Sequence, residues 1–156
     1  MNTATYNQIR TYIDQHPLAT LSTINSDGSP HGAIVYVCAD DRQPIVYFIT
    51  KQQTRKYQNL QEREQVSLTI ASPSENSTLQ ASGHAFEARG ASIIDEVVEK
   101  ITRSHASAEE WLPPIAKLRA GAYEVVGINL AYARLAQFHG MSIGDERIFT
   151  ELYKDQ

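Results

Sequence analysis

The feature that most constrains this chain is a series of short β-type runs joined by tight polar turns. Leu18–Ile24 alternates strictly, with Leu18, Thr20, Ser22 and Ile24 on one face and Ala19, Leu21 and Thr23 on the other. The next residues, Asn25-Ser26-Asp27-Gly28, are turn formers, because Asp-Gly tolerates the positive φ that closes a hairpin. His31–Ala39, rich in β-branched and aromatic residues, reads as the second strand, and the polar turn Asp40–Pro44 leads to a third at Ile45–Thr50. Val66–Ala71 reads as a fourth strand, Ser72–Ser77 as a loop, and Leu79–Arg89 as a fifth strand with Gly83 at a bulge or bend. Two more strands are expected at Ala122–Leu130 and Tyr132–Phe138. Strands joined by hairpins pair antiparallel, and the strand–helix–strand alternation of a parallel sheet is absent. Six or seven such strands close into a small barrel, which removes exposed edges.

Helices punctuate this pattern. Tyr6, Ile9, Tyr12 and Ile13 share one helical face, and Pro17 ends that helix. Thr54–Gln61 reads as a short helix, and Ser92–Ser104 as one burying Ile93, Ile94, Val97, Val98 and Ile101. Ser107-x-x-Glu110 is a capping box that opens a further helix carrying Trp111 and meeting Pro113-Pro114. The tail His139–Gln156 is polar, with an apolar patch at Ile148, Phe149 and Leu152. The fold class is therefore mainly β (α+β), with peripheral helices.

At 156 residues the chain is the size of one domain, spanning 1–156, and can bury a core without metal or disulfide staples. The formal net charge of −4 argues against a nucleic-acid partner but leaves room for a local basic pocket. Met1–Arg10 is polar, no apolar run approaches membrane-span length, and Cys38 is the lone cysteine. A soluble cytoplasmic protein is expected.

The segment most informative about chemistry is Ile45–Leu60. A strand ends at Thr50, a polar turn follows, and Thr54-Arg55-Lys56 opens a helix. The first amides of a helix lack internal acceptors and carry the positive end of its dipole. An anion there gains those donors, and Arg55 with Lys56 adds two positive charges, which suits a phosphate. Two solvated basic residues on a surface helix are the alternative, and spacing alone leaves both open. Elsewhere, His16, His31, His84, His105 and His139 show no metal-ligand spacing, and no metal is expected. Cys38 reads as structural, and Trp111 as a core or interface anchor. No Gly-x-Ser-x-Gly elbow or Gly-x-Gly-x-x-Gly fingerprint is present, and Gly127, Gly140 and Gly144 read as turn or bulge residues.

Several motifs together carry a resemblance. The run Leu18-Ala-Thr-Leu-Ser-Thr-Ile24, then Asp27-Gly-Ser-Pro-His31, Val35-Tyr-Val37, Tyr47-Phe-Ile-Thr50, Thr54-Arg-Lys56, Asn59-Leu60 and Val66-Ser-Leu68, resembles the flavin-binding split-barrel family. This family includes pyridoxine/pyridoxamine 5′-phosphate oxidase and the general-stress-protein-type flavoproteins. The match is good over roughly residues 5–90. The resemblance implies a six-stranded antiparallel split β-barrel that forms a homodimer, with FMN at the subunit interface. It places the FMN phosphate on Thr54, Arg55 and Lys56, with Ile49 and Thr50 from the preceding strand. It lays the flavin ring and ribityl chain along the backbone of Ala33, Ile34, Val35, Tyr36 and Val37. It assigns a polar contact on the fifth strand to Thr78 or Gln80, and C-terminal contacts from the partner chain to Arg147 and an aromatic position at Gln137 or Phe138.

The chain departs from the oxidase branch of that family. The Arg and the substrate-binding Lys at the two ends of that branch's second strand fall on Ala33 and Cys38, and its C-terminal Arg-x-His falls on Ile143-Gly144-Asp145. Those departures argue against pyridoxine-phosphate oxidation while leaving the cofactor site in place. The resemblance therefore implies an FMN-dependent oxidoreductase of unknown small-molecule substrate, with no residue assigned as catalytic. Two alternatives stand beside it. One is a non-catalytic flavin or deazaflavin binding or sensor protein. The other is a heme-binding or heme-degrading relative, recommended by Tyr132-Ala-Arg-Leu-Ala-Gln-Phe138 and with His139 and His84 as first candidates.

Overall fold

A computed structural model describes residues 3–103, 123–138 and 149–154. The elements run α1 (Thr3–Gln15), β1 (Leu18–Ile24), β2 (Pro30–Ala39), β3 (Ile45–Lys51), α2 (Arg55–Glu62), β4 (Gln65–Ser72), β5 (Ser77–Glu87), α3 (Ala91–Arg103), β6 (Tyr123–Gln137) and β7 (Phe149–Lys154). The strands order as β3-β2-β1-β4-β5-β6-β7, and β3 also pairs with β6. Six strands thus close into an antiparallel barrel and β7 extends it.

The alternation of β1 faces as the sequence predicts, with Ala19, Leu21 and Thr23 buried and the other set turned outward. The β1–β2 turn closes through Gly28, which takes φ +85°, and Asn25 N–H donates to the Ser29 carbonyl at 2.8 Å. Val37, Phe48, Leu68, Ile70, Leu79 and Ile128 fill the barrel interior. Burying each such side chain stabilises by about 1.5–3 kcal/mol.

α1 plugs one end of the barrel. Tyr6, Ile9, Tyr12 and Ile13 join the core, and the Tyr6 hydroxyl donates to the Asp40 carbonyl at 2.6 Å. α3 covers the outer side of β3, where Ile45, Tyr47 and Ile49 meet Val97 and Ile101. β3 is therefore buried on both faces, which is why it reads as a continuous apolar run.

Three expectations need correction. The two strands expected at Ala122–Leu130 and Tyr132–Phe138 are one, β6 over Tyr123–Gln137, and the apparent break at Ala131 is a bulge opposite Ser82 and Gly83. Gly83 sits at that bulge as expected, because a Cβ there would lie 2.0 Å from the Asn129 carbonyl oxygen. Gly127 is neither in a turn nor at a bulge. It lies within β6, and its missing side chain makes room for the Phe86 ring, 2.3 Å from where a Cβ would stand. The tail contains strand β7, where a second bulge at Leu152 shifts the phase so that Phe149 and Leu152 do not alternate. The capping box at Ser107 and Glu110, Trp111, Pro113, Pro114, His105, His139, Gly140, Ile143, Gly144, Asp145, Arg147 and Ile148 lie outside the described residues. Among the described residues no helix is long and apolar enough to cross a membrane.

Candidate cofactor-binding site

The barrel splits between β2 and β3. β2 pairs with β1 from Pro30 to Tyr36, but with β3 only over Val37–Ala39. On the β3 side, residues 33–35 have no ladder partner among the described residues; Ala33 and Val35 bond to β1, and the N–H and C=O of Ile34 face the open edge, where a ligand can use them. β3 continues past the split through Ile49 and Thr50 and turns into α2. The site expected from sequence is thus assembled from three adjoining pieces: the free edge of β2, the end of β3 and the first turn of α2.

Thr54 is the N-cap of α2, in extended conformation. Its hydroxyl donates to the Lys51 carbonyl at 2.8 Å and accepts from the Tyr57 amide at 3.4 Å. The Thr50 hydroxyl, on a residue only 4% exposed, lies 2.8 Å from that of Thr54. Because the single Thr54 proton goes to Lys51, Thr50 acts as the donor of that pair. The cap leaves the amides of Arg55 and Lys56 without intrahelical acceptors. Arg55 is exposed and Lys56 half-buried, and neither forms a hydrogen bond or ion pair with the described residues. Burial lowers the pKa of Lys56. A half-buried ammonium without a carboxylate is electrostatically incomplete, and an anion would complete it.

α2 is held in place by contacts that sequence reading did not single out. Asn59, buried in the helix, donates to Thr23 Oγ1 and Asn25 Oδ1, both at 3.0 Å. Arg63 donates to the carbonyls of Asn25 and Ser26 at 3.1 and 3.2 Å. Tyr57 donates to Glu87 at 2.5 Å, and Gln61 reaches the same carboxylate at 3.2 Å. Donating that bond to Glu87 pushes the Tyr57 hydroxyl up to about 12, while Tyr57 and then Gln61 hold the Glu87 carboxyl below its ordinary range. An Asn one turn after a Thr-Arg-Lys start was the legible signal; the Tyr57–Glu87 pair spans 30 residues and left none.

The remaining expected residues lie elsewhere on this chain. Thr78 and Gln80 are on β5, separated from β2 by β1 and β4. The Thr78 hydroxyl donates to the Ile70 carbonyl at 3.1 Å, and Gln80 Oε1 accepts from Arg134 Nε and Nη2 at 2.9 and 2.7 Å. Phe138 is 38% exposed just beyond β6, with its amide on the Asn76 carbonyl, away from the split. Cys38 is buried beneath α3, and that burial pushes its thiol up to about 12. His16 and His84 bond to Glu75 and Glu64 on the surface.

A six-stranded antiparallel barrel opened between β2 and β3, with a basic helix start at the opening, defines a split-barrel protein. The sequence profile of pyridoxamine 5′-phosphate oxidase matches residues 6–134, and the chain belongs to that family. No curated protein sequence matches it. Among solved structures it is similar to general stress protein 26 of Bacillus anthracis, with 17% identity, a TM-score of 0.62, and coverage of 82% of this chain and 91% of that one. It is also similar to a heme binding protein of Mycobacterium smegmatis, with 13% identity, a TM-score of 0.68, and coverage of 97% and 58%. ChuZ of Campylobacter jejuni gives 9% identity, a TM-score of 0.71, and coverage of 98% and 61%. At such identities these likenesses establish the shared fold.

Proposed function

We propose that this protein binds FMN at the split and serves as a flavin-dependent oxidoreductase, working as a homodimer with the cofactor between subunits. The observation that carries the reading is the α2 start, where two amides without intrahelical acceptors stand with Arg55 and the half-buried Lys56, neither of which forms an ion pair among the described residues. A phosphate supplies the missing charge there. The residues present fit the rest of the group: the open edge of β2 offers the Ile34 N–H and C=O to a planar heterocycle, and the Ile34 side chain lies bare beside it at 62% exposure. Bound at this place, FMN would supply electron or hydride transfer.

The chain's own residues bind and orient. Arg55 and Lys56 neutralise the phosphate, Thr50 fixes the Thr54 cap, and Asn59 and Arg63 lock α2 against the β1–β2 turn. Recognition through the backbone of β2 leaves its side chains free to vary. The dimer reading is supported by the bare Leu18 and Ile34 on the outer face of β1 and β2, 45% and 62% exposed.

Titration of the purified protein with FMN, followed by flavin fluorescence and by melting temperature, tests the reading. Saturable quenching with a rise in melting temperature is expected. Absence of both, or a Soret band on adding hemin with no response to FMN, would overturn it. Steady turnover of NAD(P)H by the flavin-loaded protein would set it apart from a pure binding or sensor protein.

A further inference from the structure

A second recess lies between α1 and the strands β6 and β7, at the other end of β6 from Glu124, which pairs with Thr50 beside the α2 start. Its volume is about 570 Å³, within the range of small-molecule sites. The carboxamides of Asn7, Gln8, Gln15 and Gln137 line it, and none of them bonds to another described residue. Each offers donors and an acceptor together, and the hydroxyls of Thr11 and Thr150 add to them. Leu135 and Leu152, partly buried against the core, supply an apolar strip. Glu75 is the one charged group along the walls, and no basic side chain lines the recess among the described residues.

Glu75 is positioned from two sides. It sits in the turn between β4 and β5, which the Asn76 amide closes on the Pro73 carbonyl at 3.3 Å. Asn76 takes φ +49°, a left-handed conformation that Asn tolerates, and its carbonyl accepts from the Phe138 amide at 2.9 Å. From α1, His16 Nε2 donates to Glu75 Oε2 at 3.1 Å. The His16 ring packs on Tyr12 with centroids 4.8 Å apart, and the buried Tyr12 hydroxyl lies 3.0 Å from the buried Ser77 Oγ. A chain of contacts from the core thus holds one carboxylate oxygen, while Oε1 has no partner among the described residues. A group ordered in advance costs less to order when a ligand arrives.

A recess with a fixed carboxylate and no cation rejects phosphates and carboxylates and attracts an ammonium, the reverse of the basic α2 start. Carboxamides and threonines suit several hydroxyls at once, and the leucine strip suits the C–H face of a saturated ring. We propose that this recess binds a small hydroxylated amine of the amino-sugar class, with its ammonium on Glu75 and its hydroxyls on Gln8, Thr11 and Gln137. His16 and Tyr12 act as positioning residues for the carboxylate. The proposal stands apart from the FMN reading and uses none of its residues.

Glucosamine, glucose and gluconate are probes of similar size that carry a positive, no and a negative charge. Titrated into the full chain and followed by amide NMR, glucosamine should saturably shift the resonances of Thr11 and Gln137. It should bind roughly three- to tenfold more tightly than glucose, the range for a half-exposed ion pair, and gluconate should bind weakest. Glu75→Gln, which keeps the shape and removes the charge, should bring glucosamine down to the glucose level and leave glucose unchanged. His16→Phe, which keeps a ring on Tyr12 and loses the bond to Glu75, should weaken glucosamine by a smaller factor. Thr11→Trp fills the recess from an exposed helical position and should abolish binding of both sugars, with circular dichroism excluding misfolding. No saturable shift, equal binding of the three probes, a preference for gluconate, or unchanged glucosamine binding by Glu75→Gln would each overturn the proposal. FMN should titrate Glu75→Gln as it titrates wild type, so failure at this recess and failure at the α2 start are read separately.

Discussion

Removing the two cations at the start of α2 is the perturbation with the most readable consequence. Each charge-assisted hydrogen bond to a phosphate contributes about 1.5–3 kcal/mol. Losing two, in Arg55→Ala/Lys56→Ala, removes about 3–6 kcal/mol, and at about 1.4 kcal/mol per tenfold FMN should bind roughly 10²- to 10⁴-fold more weakly. Riboflavin, which lacks the phosphate, should be unaffected. The free protein gives an independent signal. Lys56 has a folded-state pKa below its ordinary value because burial disfavours the charged form. Between the two values the unfolded chain binds more protons, so the folded state gains stability as pH rises through that window toward the ordinary lysine value. Lys56→Met lacks that gain, so urea midpoints of wild type should climb relative to the variant across the alkaline range. Equal losses for FMN and riboflavin, or a wild-type-to-variant difference that stays flat with pH, would refute the reasoning.

Other substitutions report on the scaffold. Gly83→Ala must push against the Asn129 backbone and should cost several kcal/mol, about 3 or more, whereas Gly127→Ala meets the partly buried Phe86 ring, which can shift, and should cost less; denaturant unfolding of the two decides. Thr54→Ala should destabilise by about 1 kcal/mol through loss of the cap, with Thr54→Ser largely restoring it, as read by thermal melts. Cys38, with its thiol pushed up to about 12, should resist a thiol reagent at neutral pH in the folded protein and react readily in denaturant. Leu18→Lys/Ile34→Lys should leave the proposed dimer as monomers in sedimentation.

Much of the barrel was legible because its local and global signals agree. Asp27-Gly28 closes a hairpin wherever it stands, and the alternation of Leu18–Ile24 already names the buried face. The bulges were the harder part. Ala131 and Leu152 each break the two-residue period, so one long strand looked like two and an edge strand looked like tail. Gly127 misled because a glycine in a strand can also mark a neighbour's ring, and nothing local names Phe86 as that neighbour. In the candidate site, the helix start at Thr54, Arg55 and Lys56 was readable because a cap and a basic first turn are contiguous in sequence. The Arg134–Gln80 clamp joins residues 54 apart on separate strands, and only the register brings them together.

The central claim is that FMN sits in a site built by two copies of this chain. Sedimentation monitored at once in the protein band and in the visible flavin band tests it most directly. The account predicts flavin absorbance travelling with a species of twice the 17.4 kDa chain mass. Flavin travelling with the 17.4 kDa monomer, or a dimer that carries none when FMN is in excess, would contradict it.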